Sequence, residues 1–206
     1  MLEILGRKTS TNVQKVLWCC DELGIPFERE DIGGPFGRNR DPEYLALNPN
    51  GLVPTVIIDG FVLWESNTII RYLGTIYDPG GLWPTGARQR AAMEKWMDWE
   101  LTIASRAMVP VYLQLIRTPP DKRDPIRLEA DRRDWTAAMT VLDGGLDGND
   151  FTSGARFTLS DISLGPITYR WFNLNMERPP LRHLDAWYKR LTERPAYRQH
   201  VMIEMV

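Results

Sequence analysis

Gly51-Leu-Val-Pro-Thr-Val-Ile-Ile-Asp-Gly-Phe-Val-Leu-Trp-Glu-Ser-Asn67 joins a proline, a strand, a tight turn, a second strand and a polar helix start into one unit. Pro54 suits a strand entrance, where the ladder does not need the N–H that proline lacks. The Val53-Pro54 bond is open to both isomers there, trans being the commoner. A cis bond would aim the Val53 N–H and C=O outward, free to pair with an extended peptide. Asp59-Gly60, between Thr55–Ile58 and Phe61–Trp64, is a hairpin signal, because a type I′ turn needs positive φ at both central positions. The next helix starts at Glu65-Ser66-Asn67. Its unpaired N–H groups and partial positive charge suit a ligand carboxylate at Ser66, while Glu65 suits a ligand ammonium. An α-amino-acid end would satisfy both. The alternative for Ser66 or Asn67 is a plain N-cap.

Upstream, Leu2 to Leu5 reads as a short buried strand and Gly6 to Thr11 as a polar loop. Asn12 to Leu23 places Val13, Val16, Leu17, Cys20 and Leu23 at helical spacing. Gly24 stops that helix, Ile25-Pro26 prevents its continuation, and Phe27 to Ile32 alternates as a strand. With an irregular stretch carrying Arg38 and Arg40, the order is that of a thioredoxin-like domain over 1–77, with helices on both faces of a small mixed sheet. Asp78 to Gly86, with two prolines and three glycines, reads as a linker. Residues 87–206 read as all-helical. Ala87 to Ile116 is one long tryptophan-rich helix that Pro110 should kink. Pro125 to Leu142, Leu181 to Arg194 and Ala196 to Met202 continue the bundle. Thr158-Leu-Ser-Asp161 is a capping box ahead of Ile162, Leu164 and Ile167.

The 206 residues are 43% hydrophobic and 25% charged, enough for one large or two small cores. A net charge of −2 without a long basic run gives no reason to expect nucleic acid or an anionic membrane as partner. No apolar stretch is long enough to span a bilayer and no leader precedes the first strand, so a cytoplasmic location is expected. Cys19 and Cys20 point to different faces of one helix, which excludes a redox pair or a zinc site, and His183 and His200 lack ligand spacing. No metal is expected.

A thioredoxin-like domain keeps its reactive group in the loop after the first strand, here Gly6-Arg-Lys-Thr-Ser-Thr-Asn12. Hydroxyls and an amide stand where a redox enzyme would have cysteine. No base lies near Ser10 to make it a nucleophile. Either Ser10, Thr11 and Asn12 cap the first helix, or Ser10, with Asn12 as a second donor, hydrogen-bonds a sulfur brought by the ligand. The magnitudes permit the latter. Lowering a thiol pKa by about two units takes roughly 2.7 kcal/mol, and one hydrogen bond to the anion contributes about 1.5 to 3 kcal/mol.

Over nearly its whole length the chain resembles the cytosolic glutathione transferases, on Pro54 before the hairpin, Glu65-Ser66 at the third helix and the box Phe157-Thr-Leu-Ser-Asp161. The resemblance implies a cis proline with Val53 pairing the cysteinyl unit of glutathione, Glu65 and Ser66 holding its γ-glutamyl end, and Asn39 and Arg40 near its glycine carboxylate. Ser10 falls where theta-like members keep a catalytic serine; the loop lacks the tyrosine or cysteine of other classes. The expected activity is conjugation of glutathione to small, largely apolar electrophiles, as in detoxification. Arg106, Met108 and Tyr112 are candidates for the electrophile wall. A homodimer is implied, with Asp98 or Glu100 reaching the neighbour's ligand. The same loop also resembles nu-like members that reduce disulfides with bound glutathione, and a binding module without turnover is a further alternative.

Overall fold

The computed structural model describes residues 1–206. Strand β1 (Leu2–Leu5) is followed by helix α1 (Thr11–Glu22), β2 (Phe27–Glu30), α2 (Pro42–Leu47), the hairpin β3 (Thr55–Ile58) and β4 (Phe61–Trp64), and α3 (Ser66–Tyr77). The sheet order is β2-β1-β3-β4, with β1 parallel to β2 and antiparallel to β3. This is a thioredoxin-like domain. Ile58 pairs Phe61, so Asp59 (φ 48°) and Gly60 (φ 84°) form the two-residue turn that the Asp-Gly pair demands.

Alternation along the strands sends Leu2, Ile4, Val56 and Ile58 to the main core, under α1 and α3. Leu5 and Ile57 face the other way, onto Tyr44 and Leu47 of α2. Helix α1 is enveloped: Val13 through Cys20 are all buried. Trp18 fits because position 165 is glycine, where an added Cβ would lie 2.4 Å from the indole.

The helical domain comprises α4 (Ala87–Trp99), α5 (Ser105–Tyr112), α6 (Pro125–Gly145), α7 (Leu159–Asn173), α8 (Arg182–Thr192) and α9 (Pro195–His200). The long helix expected over 87–116 departs from α geometry elsewhere than at Pro110, which lies inside α5. Wider π turns occupy Glu100–Ala104 and Leu113–Arg117 on either side. Such turns add a residue to a helix and re-aim the side chains they carry. The capping box forms: the Thr158 N–H donates to Asp161 Oδ2 at 2.8 Å, and Asp161 Oδ1 takes the Trp187 indole N–H at 2.9 Å. No helix is long and apolar enough to cross a membrane.

The two domains share a buried polar joint. Lys15 Nζ donates to Glu100 Oε2 at 2.5 Å, both side chains being fully buried. Asn67 Nδ2 reaches the Met97 carbonyl at 2.8 Å, and Ser163 Oγ reaches Glu100 Oε2 at 3.1 Å. Glu100 is thus committed inside its own chain, which removes it from the residues that could extend to a neighbour. Asp98 instead pairs on the exterior with Arg71.

Candidate active site

The loop between β1 and α1 is tied to β2: Gly6 N–H donates to the Glu30 carbonyl at 2.9 Å and Arg7 N–H to the Ile32 carbonyl at 3.0 Å. A turn then brings Ser10 N–H onto the Arg7 carbonyl at 3.1 Å, making Ser10 the residue ahead of α1. Its backbone is extended, as an N-cap requires, yet its hydroxyl makes no capping hydrogen bond. Two residues on, the Asn12 Oδ1 accepts from Ser66 Oγ at 3.2 Å. This contact brings the starts of α1 and α3 together, and with them two helix ends carrying partial positive charge.

Between them runs the segment ahead of β3. Val53-Pro54 is cis, and neither the N–H nor the C=O of Val53 has a backbone partner. Its neighbours are held firmly. Tyr44 Oη donates to the Leu52 carbonyl at 2.6 Å and also meets Thr55 Oγ1 at 2.8 Å. Asn48 Nδ2 donates to the same carbonyl at 2.9 Å and to Thr55 Oγ1 at 3.1 Å. Buried Tyr44 and Asn48 therefore fix the stretch on both sides of Val53 while leaving its own polar groups open. Tyr44 on a short amphipathic helix carries no sign of this task in the sequence, and Asn48-Pro-Asn50 reads simply as a turn.

Glu65 stands at the start of α3 with φ 73°, a conformation that costs a side-chain-bearing residue of order 1 kcal/mol or more. Asn12, Val53, Pro54, Glu65 and Ser66 line one shallow recess, completed by Asn48, Asn50, Leu52 and Trp64, with Ser10 outside its lining. Asn39 and Arg40 flank it. Asn39 Nδ2 donates to the Gly51 carbonyl at 2.8 Å and Arg40 Nη1 to the Asn50 carbonyl at 3.3 Å, so both brace the turn that carries Asn50. Arg38 faces away, paired with Glu30.

The electrophile-wall candidates separate. Arg106 is exposed, whereas Met108 and Tyr112 are buried on α5 and meet Arg170 of α7. The Arg170 guanidinium lies 3.7 Å from the Tyr112 ring centroid, and its nitrogens donate to Met108 Sδ at 3.4 Å and the Thr9 carbonyl at 3.3 Å. A residue of the helical domain thus grips the loop one position before Ser10. Burial, with help from the Arg7 and Arg117 charges, lowers the Arg170 pKa to about 10. Arg7 is lowered too, chiefly by burial, and its Nε is buried without a partner. Sequence reasoning missed all three arginines. Arg7 lay in the quoted loop, but Arg170 looks like an ordinary cation in the last turn of a helix.

Cys19 and Cys20 are free and buried, and burial pushes both thiols up, Cys20 to about 12. No group of three or more His, Cys, Asp or Glu side chains is arranged to hold a metal ion.

A family model for the glutathione S-transferase N-terminal domain matches residues 9–76. The chain is 42% identical over 205 residues to glutathione S-transferase GstB of Escherichia coli (strain K12), covering 98% of this chain and 99% of that protein. It is 28% identical to glutathione S-transferase 3 of Zea mays, covering 97% and 93%. Among solved structures, the theta class glutathione S-transferase of Xanthomonas axonopodis pv. citri with glutathione bound superposes with a TM-score of 0.96. That match has 41% identity and spans all of this chain and 99% of the other.

Proposed function

Because the chain belongs to the glutathione S-transferase family, we propose that its recess binds glutathione extended from α3 to the start of α1 and that Ser10 holds the sulfur as a thiolate for transfer to an electrophile. Residues 1–77 form the glutathione-binding domain, 78–86 the linker and 87–206 the domain that covers the electrophile. The observation that carries the reading is the unpartnered backbone of Val53 in one recess with Asn12, Glu65 and Ser66, Asn12 being two residues along α1 from an uncommitted Ser10 hydroxyl that is itself outside the recess lining. The bound glutathione of the Xanthomonas relative supports it.

In this reading the Val53 N–H and C=O pair with the cysteinyl unit in the manner of an added strand. The backbone N–H groups at the N-terminus of α3 take the γ-glutamyl carboxylate, with the Ser66 hydroxyl proton turning to it from Asn12 Oδ1; Glu65 takes the ammonium, and Asn39 and Arg40 stand toward the glycyl carboxylate. The Ser10 hydroxyl donates to the sulfur, with the Asn12 amide N–H as a second donor. The thiol proton leaves to solvent on binding. The thiolate then attacks the electrophilic carbon; the carbon–sulfur bond forms as the leaving group departs with its bonding pair. The protein supplies orientation and anion stabilisation rather than a nucleophile.

The chain functions as a homodimer in the cytoplasm. Exposed Phe61 and Trp64 on β4 and Ile76 and Tyr77 at the end of α3 are the apolar surface that supports pairing, and the two free cysteines support a reducing compartment. Sedimentation would read the assembly directly.

The thiolate is tested by ultraviolet titration of bound glutathione. Ser10→Ala should raise the thiol pKa by about one to two units, the worth of one charge-assisted hydrogen bond, and leave glutathione affinity nearly unchanged. An unaltered titration overturns the role of Ser10. Running an aryl halide beside a glutathione mixed disulfide separates transfer from disulfide reduction, and turnover of neither would leave a binding module.

A further inference from the structure

Ser10 is buried and its hydroxyl caps nothing, so the direction of that hydroxyl is set by the backbone that carries it. Three bonds fix this backbone. The Ser10 carbonyl accepts from the Gln14 N–H at 2.9 Å as the first bond of α1, and the Ser10 N–H donates to the Arg7 carbonyl at 3.1 Å. The third bond falls on the peptide group that leads into Ser10, which the Thr9 carbonyl and the Ser10 N–H share. There the Thr9 carbonyl accepts from Arg170 Nη2 at 3.3 Å. A peptide group is a rigid plane, so holding its N–H at one end and its C=O at the other sets its tilt, and with it the direction in which the next side chain leaves. Without Arg170 the plane is held at one end only and can rock about the Arg7 bond. Arg170 is itself held. It is buried in α7, its guanidinium lies 3.7 Å from the Tyr112 ring centroid, and its Nη1 donates to Met108 Sδ at 3.4 Å. Stacking on a ring face confines a planar guanidinium to one orientation. A thioether, a ring face and one carbonyl are weak returns for burying a guanidinium, which would be a costly way merely to pack α7 on α5.

We propose that Arg170 is a positioning residue for the thiolate: acting through the Thr9–Ser10 peptide group, it aims the Ser10 hydroxyl at the sulfur of bound glutathione. The proposal rests on the reading that Ser10 holds that sulfur. Arg170 is absent from the lining of the glutathione recess, so its effect reaches the reaction through Ser10 rather than by contact with the tripeptide. A hydrogen bond weakens steeply as donor and acceptor fall out of line, so a Ser10 free to rock gives up part of the stabilisation of the anion while glutathione keeps its other contacts. Burial lowers the Arg170 pKa to about 10, which still leaves the guanidinium charged, and the bond to Thr9 charge-assisted, at neutral pH. The aim of a serine in the sheet domain is thereby set from the helical domain, and the serine is aligned only when the two are seated on each other.

The test titrates the thiol of glutathione bound to Arg170→Met, which keeps apolar bulk against Tyr112 and Met108 but has no donor for Thr9. Its pKa should rise by about half a unit to one unit, part of the shift of about one to two units that complete loss of the Ser10 bond brings. The pH profile of kcat with an aryl halide should move up by the same amount, and the KM for glutathione should stay nearly unchanged. Arg170→Lys, which keeps a cation and a donor, should recover part of the shift. Arg170→Gln, too short to reach Thr9 but polar, takes the place of Arg170→Met if that variant does not fold. The deciding measurement repeats the substitution in Ser10→Ala, where a residue that acts through Ser10 should move the thiol pKa no further. A parent-like titration in a folded variant without the guanidinium, or the same shift with and without Ser10, would overturn the positioning role. If Ser10→Ala alone leaves the titration unaltered, the reading beneath it falls, and this proposal with it.

Discussion

Ser66 is 3% exposed, yet its hydroxyl turns sideways onto Asn12 instead of capping its own helix. Glu65 holds the N-cap position and Ser66 is the first residue of α3, so this hydroxyl is not engaged in capping and is able to turn from Asn12 to a ligand carboxylate. Ser66→Ala should therefore weaken glutathione binding by about tenfold to a hundredfold, the loss of one hydrogen bond to a charged group, and calorimetry measures it directly. Equal affinity would put the carboxylate elsewhere. At this scale the sequence was legible where chemistry is contiguous. Glu65 and Ser66 are neighbours, and so are Val53 and Pro54, so each pair announces its geometry through local rules about prolines and helix starts. Arg170 was illegible because its meaning lies in what it touches, a loop 161 positions away. Asn48 and Tyr44 escaped for the same reason: the carbonyl they hold is ordinary, and only the fold makes it the neighbour of the residue proposed to bind glutathione's cysteinyl unit.

Helix α1 is where element and function meet. Its N-terminus offers Ser10 and Asn12, and its body is surrounded so completely that even Lys15 and both cysteines are buried. Burial pushes the Cys20 thiol from 9.0 to about 12. Between those values the unfolded chain gives up the thiol proton while the folded chain keeps it, so stability falls as pH rises, by at most about 4 kcal/mol from this group. Below about pH 9 both states hold the proton and Cys20 adds no slope. Urea midpoints taken at about pH 8 and about pH 10.5 should thus diverge in the parent and diverge less in Cys20→Ala. The helical period of α1 could be read from Val13, Val16, Leu17 and Cys20, but not its burial on the remaining faces, because those are covered by α7 and α9 from the other end of the chain. Pro110 illustrates the converse. Its covalent effect on a helix is certain, and still the unusual turns sit at 100–104 and 113–117. The first of them carries the carboxylate that Lys15 attracts.

Across the whole molecule, the Lys15–Glu100 pair and the Asn67 and Ser163 bonds around it join the sheet domain to the helices. Removing one charge strands the other in a dry joint. Lys15→Met should cost about 3–5 kcal/mol, and the paired change Lys15→Met with Glu100→Leu should recover much of it. Chemical denaturation should follow a single transition in each case, since the joint belongs to both domains. Two separated transitions would mean that the domains unfold independently and that the pair does not couple them. The two-domain layout itself was visible in the switch from alternating to helical patterns near residue 78, because layer architecture follows from periodicity. The joint was not, since a lysine at position 15 and a glutamate at 100 look like surface residues until the surface closes over them. The buried thiols of α1 have one more consequence. On the proposed reading an electrophile meets a sulfur at this protein, and the chain's own two thiols are protonated and out of reach. The sulfur on offer is then that of a disposable tripeptide, and the catalyst's thiols come through the encounter unmarked.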